Sequence, residues 1–551
     1  MKQKKIGEVV LEYAYYDGKE NYSDGDIEDI LLDAAKNDKM EELLHLSNDW
    51  AVLYHCSHIR ENLLEWYPFK KDSALLEIGS GCGALTGLFS RKTGSVTCIE
   101  LSERRSLINA YRNKTCDNIK ILLGNFQNIQ IKEKYDYITL IGVWEYAGAY
   151  ISGKNPYLEM LKKLKSYLKE DGKLLIAIEN KMGLKYWNGA VEDHTGKMYS
   201  GLNDYTDDRR GARTFSRPEI ERLLGQAGWD LAEFYYPVPD YKLPEVIFSD
   251  RRPPQPGELR NYRKDYNAVR VYNFYDAAVC DQLCNDKVMP YFANSFLVEC
   301  GGSHEKKIIY AKYSRLRKEE YDISTLMVEE GKERCVEKKA LTEKAEEHIK
   351  RMAGRKKGSP AMLREVKGEI QEKAYVTEFI EGTDLSSSFY QYRNDPEAFL
   401  HKVQEAFRLY LTPDAEELSD FEATDAYREF FGNAFVDKGK CLASTNIDLI
   451  FSNLMSGADG NVYCVDNEWI FDFPIPYEYV MWRAANQLYL EYMIYLRNQI
   501  SRQEFLEKAG IKTENIEIYE QMERNFRRKV LRKDYMKNYV KQTMQYDFRF
   551  Y

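Results

Sequence analysis

The segment Leu75-Leu76-Glu77-Ile78-Gly79-Ser80-Gly81-Cys82-Gly83 constrains this chain more than any other. An apolar run closed by an acid meets three glycines at alternate positions, and Ala84-Leu85-Thr86-Gly87-Leu88 follows in helical phase. A glycine has no Cβ, so the backbone can pass close to a ligand. A strand, a glycine loop and a helix in this order present backbone amides to a bound small molecule. The runs 74–78, 95–100, 119–123, 135–141 and 173–179 read as strands, with amphipathic stretches such as 103–113 and 155–168 between most of them. That alternation predicts an α/β fold, a parallel sheet with helices on both faces.

The strand ends narrow the ligand. The loop lacks the third glycine of the dinucleotide fingerprint, and Glu77 ends the strand before it. A carboxylate there can face a methionine ammonium. The second strand ends in Glu100, suited to two ribose hydroxyls. The third ends in Gly124-Asn125-Phe126, an amide for an adenine amine and a ring to stack on it. The fourth runs into Gly142-Val143-Trp144-Glu145-Tyr146, which would line a methyl-donor pocket. From about residue 40 to 235 the chain resembles class I S-adenosylmethionine (SAM)-dependent methyltransferases. The resemblance implies a Rossmann-like domain with Glu77, Gly79, Gly81, Gly83, Glu100, Asn125 and Phe126 around the cofactor. The competing reading is an α/β nucleotide domain with another ligand.

After the fifth strand comes a polar insert containing Asn180, Lys181, Trp187, Glu192, Asp193 and His194. His194 reads as a general base toward a hydroxyl, with Asp193 or Glu192 nearby. A capping loop over the cofactor is the equal alternative. With Arg213-Thr214-Phe215-Ser216 and the stretch 235–241, the insert looks like methyltransferases of bacterial surface-glycan biosynthesis, often fused to glycosyltransferases. That resemblance implies a sugar or glycan acceptor and glycosyltransferase machinery as partners, with an RNA or protein methyltransferase as the rival reading.

A second constellation lies beyond Pro237–Pro256, where a boundary is placed. Residues 295–300 and 306–313 read as a hairpin that carries Lys312, and 329–353 as a charged helix. Asp448 and Asn453 are five residues apart, the kinase catalytic-loop spacing, and Asp466 ends a later apolar run. With Val376–Thr383 this is similar to aminoglycoside- and choline-type kinases. In that resemblance Asp448 orients an acceptor hydroxyl, Asn453 and Asp466 hold Mg²⁺, and Lys312 reaches the phosphates of ATP, paired with Glu337. Asp-rich turns and a helix-capping Asn453 are the plainer alternative, and a scaffold without catalysis is another. The order of the two halves resembles methyltransferase–kinase proteins that terminate O-antigen chains.

The expected division is a lead-in and helix over 1–39, the methyltransferase domain over 40–250, a linker over 251–285, an α+β kinase-like domain over 286–500 and a basic helical tail over 501–551. The net charge of −9 speaks against a general nucleic-acid binder. Ten cysteines without a CxxC pair read as reduced thiols, and no apolar run is long enough to span a bilayer. A cytoplasmic protein is expected, peripheral at the inner membrane face if the tail binds lipid. The tail's basic residues run from Arg524 to Lys541 with apolar ones interleaved. They read first as a helix packed on its own domain and second as a weak membrane contact.

Overall fold

The computed structural model describes residues 3–532, apart from 20–22, 24, 207–210, 231, 261, 263–271, 303–305 and 437. The first ten strands are β1 (Gln3–Ile6), β2 (Val9–Tyr15), β3 (Ala74–Ile78), β4 (Ser95–Glu100), β5 (Ile119–Gly124), β6 (Tyr135–Ile141), β7 (Leu168–Glu179), β8 (Ala232–Val238), β9 (Val246–Ser249) and β10 (Ser295–Gly301). They lie in the order β1-β2-β5-β4-β3-β6-β7-β10-β8-β9. From β2 to β7 all neighbours are parallel, and β10 runs antiparallel between β7 and β8. The order reverses at β3, so the crevice beyond the carboxyl ends of β3 and β6 is the switch point where open α/β sheets bind ligands. Leu75, Leu76, Ile138 and Leu140 are fully buried, as strands covered on both faces require.

The sheet continues. Strands β11 (Lys306–Tyr313), β12 (Ile323–Glu330) and β13 (Glu333–Ala340) form an antiparallel meander, and β14 (Arg364–Glu365) pairs with Val462–Cys464 in a separate sheet. After them come β15 (Gly368–Gln371) and β16 (Ala374–Glu378), giving the order β11-β12-β13-β16-β15. The helix Glu346–Ala353 lies between β13 and β15 in sequence. Strand β11 joins β9 through Ala311 and Lys312, so one fifteen-stranded sheet runs through both halves. The remainder is mainly helical, around the twenty-residue helix Tyr477–Leu496.

Five sequence expectations differ from this structure. Residues 295–300 do not form a hairpin with 306–313: Ser295 to Cys300 are all buried, because β10 is covered by sheet neighbours on both edges. The boundary at 286 therefore falls inside the first sheet, and the break at 237–256 falls on the β8–β9 hairpin. The lead-in expected at the start of 1–39 is strand instead: β2 pairs with β5, and β1 adds the edge of the sheet beyond it. Residues 40–63 form three short helical pieces, Met40–Leu46, Trp50–Cys56 and His58–Leu63, the second started by the Asp49 carboxylate accepting from Ala51 N. The helix expected over 329–353 is mostly strand: Gly331 turns at φ +61°, and cross-strand pairs such as Lys306–Glu337 at 2.7 Å and Arg334–Glu329 at 3.0 Å hold the charged residues in register.

Candidate active site

At the carboxyl ends of β3, β4, β5 and β6 opens a cavity of about 670 Å³. The glycine loop forms its floor. Gly79 and Gly83 have φ of +67° and +75°. A Cβ on Gly79 would lie 2.4 Å from a Val143 methyl, and one on Gly83 would lie 2.3 Å from Asn109 Oδ1. Both glycines are thus required by conformation and by space. The loop is clipped to the next strand, with Gly79 N donating to Ile99 O at 2.8 Å.

Glu100 gathers three backbone amides. Its Oε2 accepts from Gly81 N at 2.8 Å, and its Oε1 accepts from Leu101 N at 2.8 Å and Ser102 N at 2.9 Å. Burial pushes this carboxyl up while the amides oppose the rise. Glu77 accepts from Thr86 Oγ1 at 2.6 Å and from Cys98 Sγ, and burial pushes its carboxyl up to about 7 against those bonds. Asn125 donates to Tyr150 O at 3.2 Å and accepts from Gln127 N at 2.9 Å, and Phe126 sits beside it, its ring under the Lys163 ammonium. All of these predicted positions except Gly83 line the one cavity, and Gly83 closes the loop behind it.

The far end of the cavity is densely charged. His194 presents Nδ1 to Tyr146 Oη at 3.0 Å and Nε2 to Glu179 Oε2 at 3.3 Å, with Glu145 Oε1 at 3.9 Å. Burial works against a charged imidazole, but Glu179, Glu145 and Glu192 outweigh it and push His194 up to about 9. This pull of the carboxylates on the ring proton works against the general-base role expected of His194. Asp193 is not beside it as an orienting acid: Oδ2 pairs with Lys242, and Lys185 stands 3.5 Å away. The backbone amides of His194 and Thr195 are held by Glu192 Oε2 instead.

Several lining residues escaped the sequence reading. Lys242 reaches Glu179 Oε1 at 2.5 Å from the β8–β9 turn, and Trp50 and Tyr54 close the cavity from the N-terminal helices. No local motif flags them, because they enter from elements distant in sequence.

The model of a methyltransferase domain family matches residues 51–233. The chain carries a class I SAM-dependent methyltransferase domain. The domain is 26% identical over 200 residues to a malonyl-[acyl-carrier protein] O-methyltransferase of Priestia megaterium, covering 35% of this chain and 66% of that protein. It is 26% identical over 99 residues to ribosomal RNA small subunit methyltransferase A of Syntrophus aciditrophicus, covering 18% of this chain and 33% of that one. The chain thus spans less than two thirds of either relative. Among solved structures it is similar to a Haemonchus contortus phosphoethanolamine N-methyltransferase in complex with S-adenosylhomocysteine, with 16% identity, half of each chain covered and a TM-score of 0.29. A methyltransferase of Bacillus halodurans aligns over 44% of this chain and 99% of its own at a TM-score of 0.27.

Outside the methyltransferase domain a second polar cluster forms. Lys338, on β13, places Nζ 2.6 Å from Asp466 Oδ1 and 3.6 Å from Glu468 Oε2. Asn446 donates to Asp466 O at 2.9 Å and accepts from Asp448 N at 2.9 Å. Asn453 donates to Asp448 O at 3.0 Å. Burial pushes Asp448 up to about 6, opposed by Arg483 at 3.2 Å and reinforced by Asp466 and Glu468. Glu468 is gripped by Arg317 and by His348 of the helix Glu346–Ala353. Lys312 stays outside this cluster, its side chain exposed on β11. Glu337 is a strand residue paired with Lys306 and Lys339, not a helix partner for Lys312. Gly331, in the middle of the supposed charged helix, was the signal that could have placed Lys338 on a strand.

The helix Thr513–Val530 buries Ile516, Tyr519, Met522, Phe526 and Val530 in the core of the second half. Its apolar stripe is therefore covered by its own chain. Lys533, Lys537 and Lys541 lie outside the described residues. The ten cysteines form no disulfide. Among the described residues no helix is long and apolar enough to cross a membrane.

Proposed function

We propose that the chain transfers a methyl group from SAM to a sugar or glycan intermediate. The observation that carries this reading is the single cavity in which the glycine loop, Glu77, Glu100 and Asn125 adjoin a pocket end built of hydrogen-bonding side chains. In this reading Glu77 faces the methionine ammonium, Glu100 the ribose and Asn125 with Phe126 the adenine. Glu145, Asp193, His194 and Lys242 offer charged and polar partners to a polyhydroxylated acceptor, which an apolar pocket would not. Calorimetry with SAM is the first test: SAM should bind, and Glu100→Ala should weaken it at least tenfold. Incubation with labelled SAM and a panel of glycolipid acceptors follows. Label on RNA alone would overturn the glycan reading.

A second reading concerns the other half, which we propose to be a kinase-like domain that binds Mg-ATP. The Lys338–Asp466 contact favours it. Kinases carry the phosphate-binding lysine on the third strand of their sheet and a magnesium-binding acid beyond the catalytic loop. Strand β13 is third in its meander, so Lys338 takes the part first given to Lys312, with Asn453 and Asp466 as the Mg²⁺ ligands and Asp448 facing the acceptor. Asp466→Ala and Lys338→Met should each abolish Mg-ATP binding, while Lys312→Met should leave it intact. ATP binding that survives Asp466→Ala would reduce this half to a scaffold.

A further inference from the structure

At the acceptor end of the methyltransferase cavity, three side chains converge with no partner that accounts for them all. Glu145 is 1% exposed, yet neither of its carboxylate oxygens accepts a hydrogen bond. Glu179 is fully buried; Lys242 occupies its Oε1 and leaves Oε2 turned to His194. The His194 ring is fixed by Tyr146 at Nδ1, which aims Nε2 at both carboxylates. One ligand atom from each of the three lies within 4.8 Å of the other two. The surrounding charges are already engaged. Glu192 holds backbone amides and Tyr205, and Asp193 takes Lys242 and Lys185.

A buried carboxylate without a hydrogen bond is costly unless a cation answers it. Two carboxylate oxygens and one imidazole nitrogen on a shared centre are a ligand set for a first-row divalent cation. The Tyr146–Nδ1 contact is the outer bond that orients metal-binding histidines. The trio lines the cavity, so further coordination positions would open toward it.

We infer that Glu145, Glu179 and His194 form a divalent cation site at the acceptor end of the cavity, which would hold an oxygen-rich acceptor through the metal. The inference rests on reading this cavity as the methyl-transfer site, and its test separates the two. Mn²⁺ is titrated into the full-length chain bearing Asp466→Ala, which removes the proposed Mg²⁺-binding carboxylate of the other cluster, and SAM is titrated separately. One Mn²⁺ should bind per chain. Glu145→Gln and His194→Ala should weaken it roughly 10–100-fold, and Tyr146→Phe less, with a cooperative unfolding transition kept. The SAM titration also reports folding, and Tyr146→Phe serves if a ligand variant fails to fold. No saturable Mn²⁺ binding, or binding indifferent to all three substitutions, overturns the site even where SAM binds. Mn²⁺ binding that is lost in these variants from a chain that does not bind SAM would uphold the site and remove the methyl-donor reading.

Discussion

Glu77 and Glu100 close adjacent strands, yet their charges meet different surroundings. Glu100 is met by three amides, whereas Glu77 has a hydroxyl and a thiol, and burial pushes it up to about 7 from 4.5. Below about 4.5 it is protonated both folded and unfolded, and between there and 7 only the unfolded chain ionises. Stability from this group is thus lost as pH rises through that window, on the order of 3 kcal/mol in total. A ligand ammonium beside Glu77 reverses the preference. SAM should bind more tightly as pH rises from 6 to about 7, level off above, and release a proton on binding. Calorimetry in two buffers of different ionisation enthalpy measures this, and a flat affinity from pH 5.5 to 8.5 would remove Glu77 from the ammonium site. Gly83 makes a steric prediction of its own. Gly83→Ala combines φ +75° with the Asn109 contact, and should cost about 1–3 kcal/mol in denaturant unfolding. These positions were legible because a strand end and its loop are local. Lys242 and Lys338 were not, since each acts on carboxylates that only the folded chain brings near.

At the scale of elements, the parallel strands β3 to β7 declared themselves through apolar runs and the turns that close them. β10 did not. Its run Phe296-Leu297-Val298 is equally apolar, but the sequence also offers it β11 as a near neighbour. Only tertiary pairing decides that it inserts between β7 and β8, where the Glu299 carboxylate takes the buried Lys173 ammonium at 3.0 Å. A fragment ending at residue 285, the expected domain edge, would therefore leave the edges of both β7 and β8 open along buried, apolar strands. Such edges aggregate. That fragment should be insoluble or fail to bind SAM, while the full chain binds it. A soluble 1–285 fragment with full SAM affinity would show that β10 is dispensable. Strand β13 was obscured for another reason. Its charged residues have good helix propensity, and the ion pairs that hold them in strands are tertiary.

Across the whole molecule, the two halves share more than a covalent link. Ile308, Ala311, Leu326 and Val328 of the second half pack in the same buried cluster as Leu11, Leu75 and Val96. Tyr310 likewise joins the cluster that holds Leu76 and Ile138. At the far end of the described chain, Arg532 donates from its backbone to Leu316 O at 3.0 Å and from Nη2 to Asp322 Oδ2 at 3.2 Å, tying the C-terminal helix to the meander. Separating the halves would expose apolar surface in both, so the shared core makes the β9–β11 seam as costly to open as the interior of either half. Calorimetric unfolding should therefore show one main transition, and SAM should move all of it upward, because a ligand that binds only the folded state stabilises whatever unfolds together with its site. Ile247 sits on that seam, opposite Ala311. Ile247→Asp should bury an unpaired charge there and split or lower the whole transition rather than the methyltransferase part alone. Two well-separated transitions in the unaltered chain, with SAM moving just one, would show that the continuous sheet joins two units that unfold independently.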